Sequence, residues 1–143
     1  MPTNCNFYIL SDAREDGRFL FSCALIEKLY GKKHQVYVHC QHQEEAHRFS
    51  QLLWSYKETS FIPHGLIGEY SSEDSPIQIG FNQEVPKGDI ILFLSVEPLI
   101  PDFVDQFKRV VEIVTPDPLI KKTLRERYQQ YRDRGHEIKT YPV

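Results

Sequence analysis

Residues Asp89–Ser95 (Asp-Ile-Ile-Leu-Phe-Leu-Ser) form an unbroken apolar run of strand length. A strand with one wet face alternates apolar and polar residues. A continuous run instead marks a central strand buried on both faces, as in parallel sheets covered by helices. Such a strand needs helices laid on each face of its sheet.

The flanking sequence supplies them. Asn6–Leu10 (Asn-Phe-Tyr-Ile-Leu) reads as a first strand. In Arg18–Lys33 the residues Phe19, Cys23, Ile26 and Tyr30 recur at helical spacing, with Leu25 and Leu29 widening the stripe. Gln35–Cys40 alternates and reads as a strand, and Glu44–Ser55 reads as a second helix with Ala46, Phe49 and Leu53 facing inward. The strand–helix–strand order favours a parallel pair joined by a right-handed crossover. Ile77–Phe81 and Arg109–Val114 add strands, Pro98–Phe107 holds one helical turn around Phe103, and His136–Tyr141 returns as a final strand. Asp117 caps a last helix, Pro118 suits its first turn and Gly135 its stop position. Alternating strands and helices give an α/β fold, with helices on both faces of a mostly parallel sheet. One domain spanning 1–143 is expected.

Leu53–Glu69 departs from this pattern. It holds the sole tryptophan, Trp54, and the sequence Ser60-Phe61-Ile62-Pro63. Proline lacks an N–H and pushes its predecessor into an extended conformation, so Ser60–Ile62 reads as an extended edge. Gly65 and Gly68 read as turn positions after it. Trp54, which ends an amphipathic helix, also suits a core position. Phe61, on a pre-proline edge, belongs near the surface. Two aromatics and no catalytic set describe a surface for holding another protein.

The expected enzymatic signatures do not occur. No Gly-x-Gly-x-x-Gly follows the first strand and no phosphate loop is present, so a nucleotide-binding loop is not expected. The segment after the first strand carries three acids, which would repel a phosphate. No nucleophile elbow occurs. His39, Cys40, His42 and His47 are dense in metal-ligand types, but their spacing fits no standard finger, and adjacent strand residues point to opposite faces. Solvated or turn-bonding histidines are the simpler account, and no metal or cofactor is expected. His64 has no partner for a triad and reads as a turn histidine bonded to backbone. Cys5, Cys23 and Cys40 read as free thiols in a reducing compartment. The N-terminal sequence has no signal-peptide pattern, and no apolar stretch reaches membrane-spanning length, so a cytoplasmic location without membrane contact is expected.

The net charge of −3 hides an asymmetry. Residues 118–143 carry seven cations against three acids, a local +4, so the other 117 residues sum to −7. On the last helix Lys121, Arg125, Tyr128 and Arg132 fall on one stripe, beside an apolar stripe of Ile120, Leu124 and Tyr131 that also contains Arg127. Arg127 is thus expected partly buried, against a carboxylate. A charged stripe is ordinarily just a solvated face. Here it has no acid, and Val114 and Pro116 lie just ahead to floor an apolar pocket. Such a pocket suits an acidic peptide ending in an apolar residue. A nucleic-acid surface would want a broader basic area with stacking aromatics, against which the acidic body argues.

The chain resembles the chi subunit family of bacterial DNA polymerase III. The resemblance spans nearly the whole length. It is carried by Asn6-Phe7-Tyr8-Ile9-Leu10, Leu53-Trp54, Ser60 to Glu69, Asp89-Ile90-Ile91-Leu92 and Leu124-Arg125-Glu126-Arg127-Tyr128-x-x-Tyr131-Arg132. It implies a Rossmann-like three-layer fold without nucleotide chemistry and a non-catalytic accessory subunit of the clamp-loader assembly. It further implies two partners, a psi subunit and the acidic C-terminal tail of single-stranded DNA-binding protein, with DNA reached only indirectly. The tail site carries over onto Val114, Lys121, Arg125, Tyr128 and Arg132. The psi surface carries over onto Phe61, Trp54 and Pro63. Gln129 departs from the family pattern, where a lysine is expected, which removes one cation from the tail site. The competing readings are a small nucleotide-binding enzyme on the same fold and a direct single-stranded nucleic-acid binder.

Overall fold

The computed structural model describes residues 3–11, 14, 16–56, 62–66, 75–81 and 88–143. Among them, seven strands form one sheet: β1 (Asn4–Ile9), β2 (Val36–Cys40), β3 (His64–Leu66), β4 (Ile77–Phe81), β5 (Ile90–Phe93), β6 (Arg109–Val114) and β7 (Glu137–Pro142). The spatial order is β3-β4-β2-β5-β6-β1-β7, and every pairing is parallel. The apolar run therefore supplies the middle strand of seven. Ile90, Ile91, Leu92 and Phe93 are each no more than 1% exposed.

Helices cover both faces. α1 (Gly17–Gly31) and α2 (Gln43–Ser55) pack on one, where Phe19, Cys23, Ile26, Phe49 and Leu53 meet Val38, Ile79, Leu92 and Val111. α3 (Pro118–Asp133) and a 3-10 helix (Asp102–Gln106) pack on the other, where Leu124, Tyr131 and Val104 meet Cys5, Phe7, Tyr37, Ile91 and Val110. Alternate residues of β2, β5 and β6 divide between these two cores, as the pleat requires.

α1 and α3 end alike. The His136 N–H reaches the Tyr131 carbonyl and the Gly135 N–H that of Arg132, with Gly135 at φ +80°. The His34 N–H reaches Leu29 and the Lys33 N–H reaches Tyr30, with Lys33 at φ +65°. Both are Schellman endings, but only α3 places glycine at the left-handed residue.

Some expectations need correcting. β1 and β2 are parallel but not neighbours, because β5 and β6 lie between them. Gly65 is not a turn residue. It sits inside β3, opposite Gln78, where the ladder to β4 overrides glycine's freedom to turn. Gly68, Ser60 and Phe61 lie outside the described residues. Ile62 is buried, and the edge strand begins only at His64, after the proline.

Three of the histidines have structural roles. His39 is buried rather than solvated, with its Nδ1 2.8 Å from the Tyr37 hydroxyl, while Cys40 faces the opposite core. Nδ1 of His42 accepts from the Glu45 N–H and caps α2. His64 is bonded to backbone as expected, its two ring nitrogens 2.8 Å and 3.2 Å from the carbonyls of Ile62 and Ser50, but from within a strand. Cys5, Cys23 and Cys40 are free and buried, and burial raises all three thiol pKa values, to about 12 for Cys5 and Cys23. No helix among the described residues is long and apolar enough to cross a membrane.

Candidate peptide-binding cleft

α3 is fixed at its start and along its buried side. The Asp117 carboxylate accepts from the N–H groups of Leu119 (2.8 Å) and Ile120 (3.3 Å), satisfying two donors that a helix start leaves free. Along the buried side, Arg127 is held more completely than the sequence suggests, at 1% exposure. Its Nη1 donates to Oε1 of Glu112 at 2.8 Å and its Nε to the Glu97 carbonyl at 2.7 Å. The Tyr131 hydroxyl donates to the other oxygen of Glu112, also at 2.7 Å. Burial pushes the Glu112 carboxyl up from its ordinary value, while Arg127 and Tyr131 pull against that rise.

These bonds set the roll of α3 about its axis. Leu124 and Tyr131 point into the sheet, Tyr128 is half-buried, and Lys121 and Arg125 stand exposed. A cleft of about 290 Å³ results between helix and sheet. Its floor comes from three adjacent strands: Phe7 and Ile9 of β1, Val114 of β6 and Thr140 of β7. Its wall is Lys121, Leu124, Arg125 and Tyr128 of α3. The Tyr128 ring meets Phe7 edge-on, with centroids 5.4 Å apart. The floor is thus largely apolar, and the charged groups lining the cleft are two cations.

Of the five residues assigned from sequence, Val114, Lys121, Arg125 and Tyr128 converge on this cleft. Arg132, one turn beyond Tyr128, is exposed but does not line it. At the departing position, the Gln129 amide donates to Asp133 within the helix. Phe7, Ile9, Leu124 and Thr140 were not assigned to the site from sequence. Val114 is level with Ile9 and Thr140 with Phe7 only because β1 lies between β6 and β7, an order with no local signature.

The second aromatic surface lies at the other end of the sheet. Trp54, on the last turn of α2, is 46% exposed rather than core, and its ring lies 4.2 Å from that of buried His64. Pro63 beside it is half-buried. Trp54 also borders a hollow of about 480 Å³ between α1 and α2, where the Arg48 guanidinium lies 5.2 Å over the Phe19 ring. Phe61 lies outside the described residues. None of the described residues forms a group of three or more potential metal ligands.

The sequence profile of the family described as DNA polymerase III chi subunit, HolC, matches residues 2–139. The DNA polymerase III subunit chi of Pseudomonas aeruginosa is 31% identical over 142 residues, covering 97% of this chain and 96% of the relative. That of Escherichia coli strain K12 is 28% identical over 141 residues, covering 96% of each. That of Haemophilus influenzae is 28% identical over 145 residues, covering 100% of this chain and 99% of the relative. The chain belongs to the DNA polymerase III chi subunit family.

Proposed function

We propose that this protein is a non-catalytic adaptor of the replicative DNA polymerase III clamp-loader assembly, bridging the psi subunit and the acidic C-terminal tail of single-stranded DNA-binding protein. The observation that carries the reading is the cleft under α3, whose apolar floor is rimmed by Lys121 and Arg125. An acidic peptide ending in an apolar residue can bury that residue against Phe7, Ile9 and Val114. Its carboxylates then meet a guanidinium and an ammonium, and charge-assisted hydrogen bonds of this kind exceed neutral ones in strength. The exposed cations make the contact salt-sensitive, because small ions screen them.

The psi subunit is assigned to the surface of Phe61, Trp54 and Pro63. Trp54 lies on α2 against the β3 edge, whereas the cleft lies against β6, β1 and β7 at the other. Two partners held at opposite ends of one sheet do not compete, and the linkage raises the local concentration of polymerase on coated DNA. The protein acts in the cytoplasm on this reading.

The test is titration of a labelled acidic peptide ending in Asp-Ile-Pro-Phe at low and moderate salt, beside Arg125→Ala. Binding that weakens with salt, and at least about fivefold in the variant, is expected. Phe61→Ala and Trp54→Ala should weaken psi binding and spare the peptide. No peptide binding by the wild type, or joint loss of both partners in Arg125→Ala, overturns the two-surface reading.

A further inference from the structure

The opposite face of the same three strands carries a second, differently built surface. Asn4, Asn6 and Tyr8 of β1 point away from the cleft. They are flanked by Arg109 of β6 and by Glu137, Lys139 and Tyr141 of β7. The register arranges them in rows: Arg109, Asn4 and Glu137, then Asn6 and Lys139, then Tyr8 and Tyr141. On a strand, residues two apart are separated by about 6.6 Å, close to the spacing of successive nucleotides in an extended strand.

α1 meets this tray at its aromatic end. There Phe21 lies 5.4 Å from Tyr8, and Tyr8 stacks on Tyr141 at 5.3 Å with 23° between the planes. The other rows line an open polar hollow of about 140 Å³. Tyr141 is 39% exposed on the edge strand.

We propose that this tray is a direct contact for single-stranded DNA. Base faces stack on the Tyr141–Tyr8 pair, phosphates are met by Lys139 and Arg109, and the Asn6 and Asn4 amides face base edges. Aromatics and cations displayed on an open sheet are the means by which proteins hold unpaired bases. The hollow lacks the apolar floor that a peptide side chain needs, and its two cations outnumber its one acid, Glu137. DNA rather than RNA follows from membership of a DNA polymerase subunit family. Because the tray and the cleft lie on opposite faces of β1 and β7, both can be filled at once. The proposal goes beyond the adaptor reading, does not depend on it, and departs from the expectation that DNA is reached only indirectly.

The test is fluorescence anisotropy of a labelled 15-nucleotide oligothymidylate with the intact protein at low salt. Tyr141→Ala should weaken binding at least about fivefold, the low end of one lost base stack, while Tyr141→Phe retains it. Lys139→Glu should weaken binding and lower the slope of affinity against salt by about one phosphate contact or more. Lys122→Ala, an exposed cation in neither surface, should leave it unchanged. Circular dichroism confirms that each variant is folded. The proposal is overturned by no wild-type signal at millimolar protein, by binding insensitive to Tyr141→Ala, or by equal loss in Lys122→Ala. Equal or tighter binding of oligouridylate overturns the assignment to DNA.

Discussion

The Arg127 guanidinium and the Glu112 carboxylate meet at 2.8 Å in a place water does not reach, with the two side chains 1% and 0% exposed. Arg127 also lies 5.0 Å over the Phe93 ring, and Tyr131 completes the coordination of Glu112. A buried pair of this kind adds little over a well-packed apolar pair, but breaking one side strands the other charge. Glu112→Leu alone should therefore cost about 3–5 kcal/mol in urea unfolding. The double variant Glu112→Leu/Arg127→Met should recover most of that loss. If the single and double variants are equally unstable, shape rather than charge pairing is what the network supplies.

The neighbouring His39 gives the fold an acid limit. Desolvation first, and then the nearby Arg127 charge, lower its pKa from 6.5 to about 4. It stays neutral in the folded state while the unfolded chain takes up a proton near 6.5. Its contribution is present in full above that pH and is lost as pH falls through about 4. The linkage amounts to roughly 2 kcal/mol between pH 7.5 and pH 5. Urea midpoints at the two pH values should differ accordingly, and His39→Gln should reduce the difference. An unchanged pH dependence in that variant would assign acid sensitivity to other groups.

What could be read from the sequence was what repeats locally. The apolar run at Ile90–Phe93, the amphipathic spacing of α1 and α3, the Asp117 cap and the Gly135 stop each depend on neighbours within a few residues. The wall of the cleft belongs to this class, since Lys121, Arg125 and Tyr128 share one helix stripe. Its floor does not. Phe7, Val114 and Thr140 come together through strand order, which depends on tertiary pairing rather than on any local pattern. Gly65 shows the same limit, because ladder bonds to β4 decide its conformation against its own preference.

Arg132 and Arg125 lie on the same stripe but should not contribute equally to peptide binding. Arg125 lines the cleft, and Arg132 stands a turn away in solvent. Arg132→Ala should weaken the peptide by less than about fivefold, within the range of exposed ion pairs, and should mainly reduce binding at low salt. Tyr128→Ala removes the wall and the contact with Phe7, and should cost more than Arg132→Ala at every salt concentration. Isothermal titration of the same peptide against the three variants ranks them. A loss in Arg132→Ala equal to that in Arg125→Ala would mean that the peptide extends along α3 beyond the cleft.

The two Schellman endings offer a matched pair of stability tests. Gly135 and Lys33 occupy the same left-handed position after α3 and α1, at φ +80° and +65°. A side chain there brings Cβ against the following carbonyl, a clash glycine avoids. Nothing crowds Gly135, since a Cβ built there meets no atom within 4 Å, so Gly135→Ala isolates the backbone cost. It should destabilise the protein by about 1 kcal/mol. Lys33→Gly should act in the opposite sense, stabilising by up to about 1 kcal/mol once the added chain entropy of the unfolded state is offset. Thermal or urea unfolding of the two variants reads both signs. If Lys33→Gly also destabilises, the lysine side chain makes contacts worth more than the strain its backbone carries.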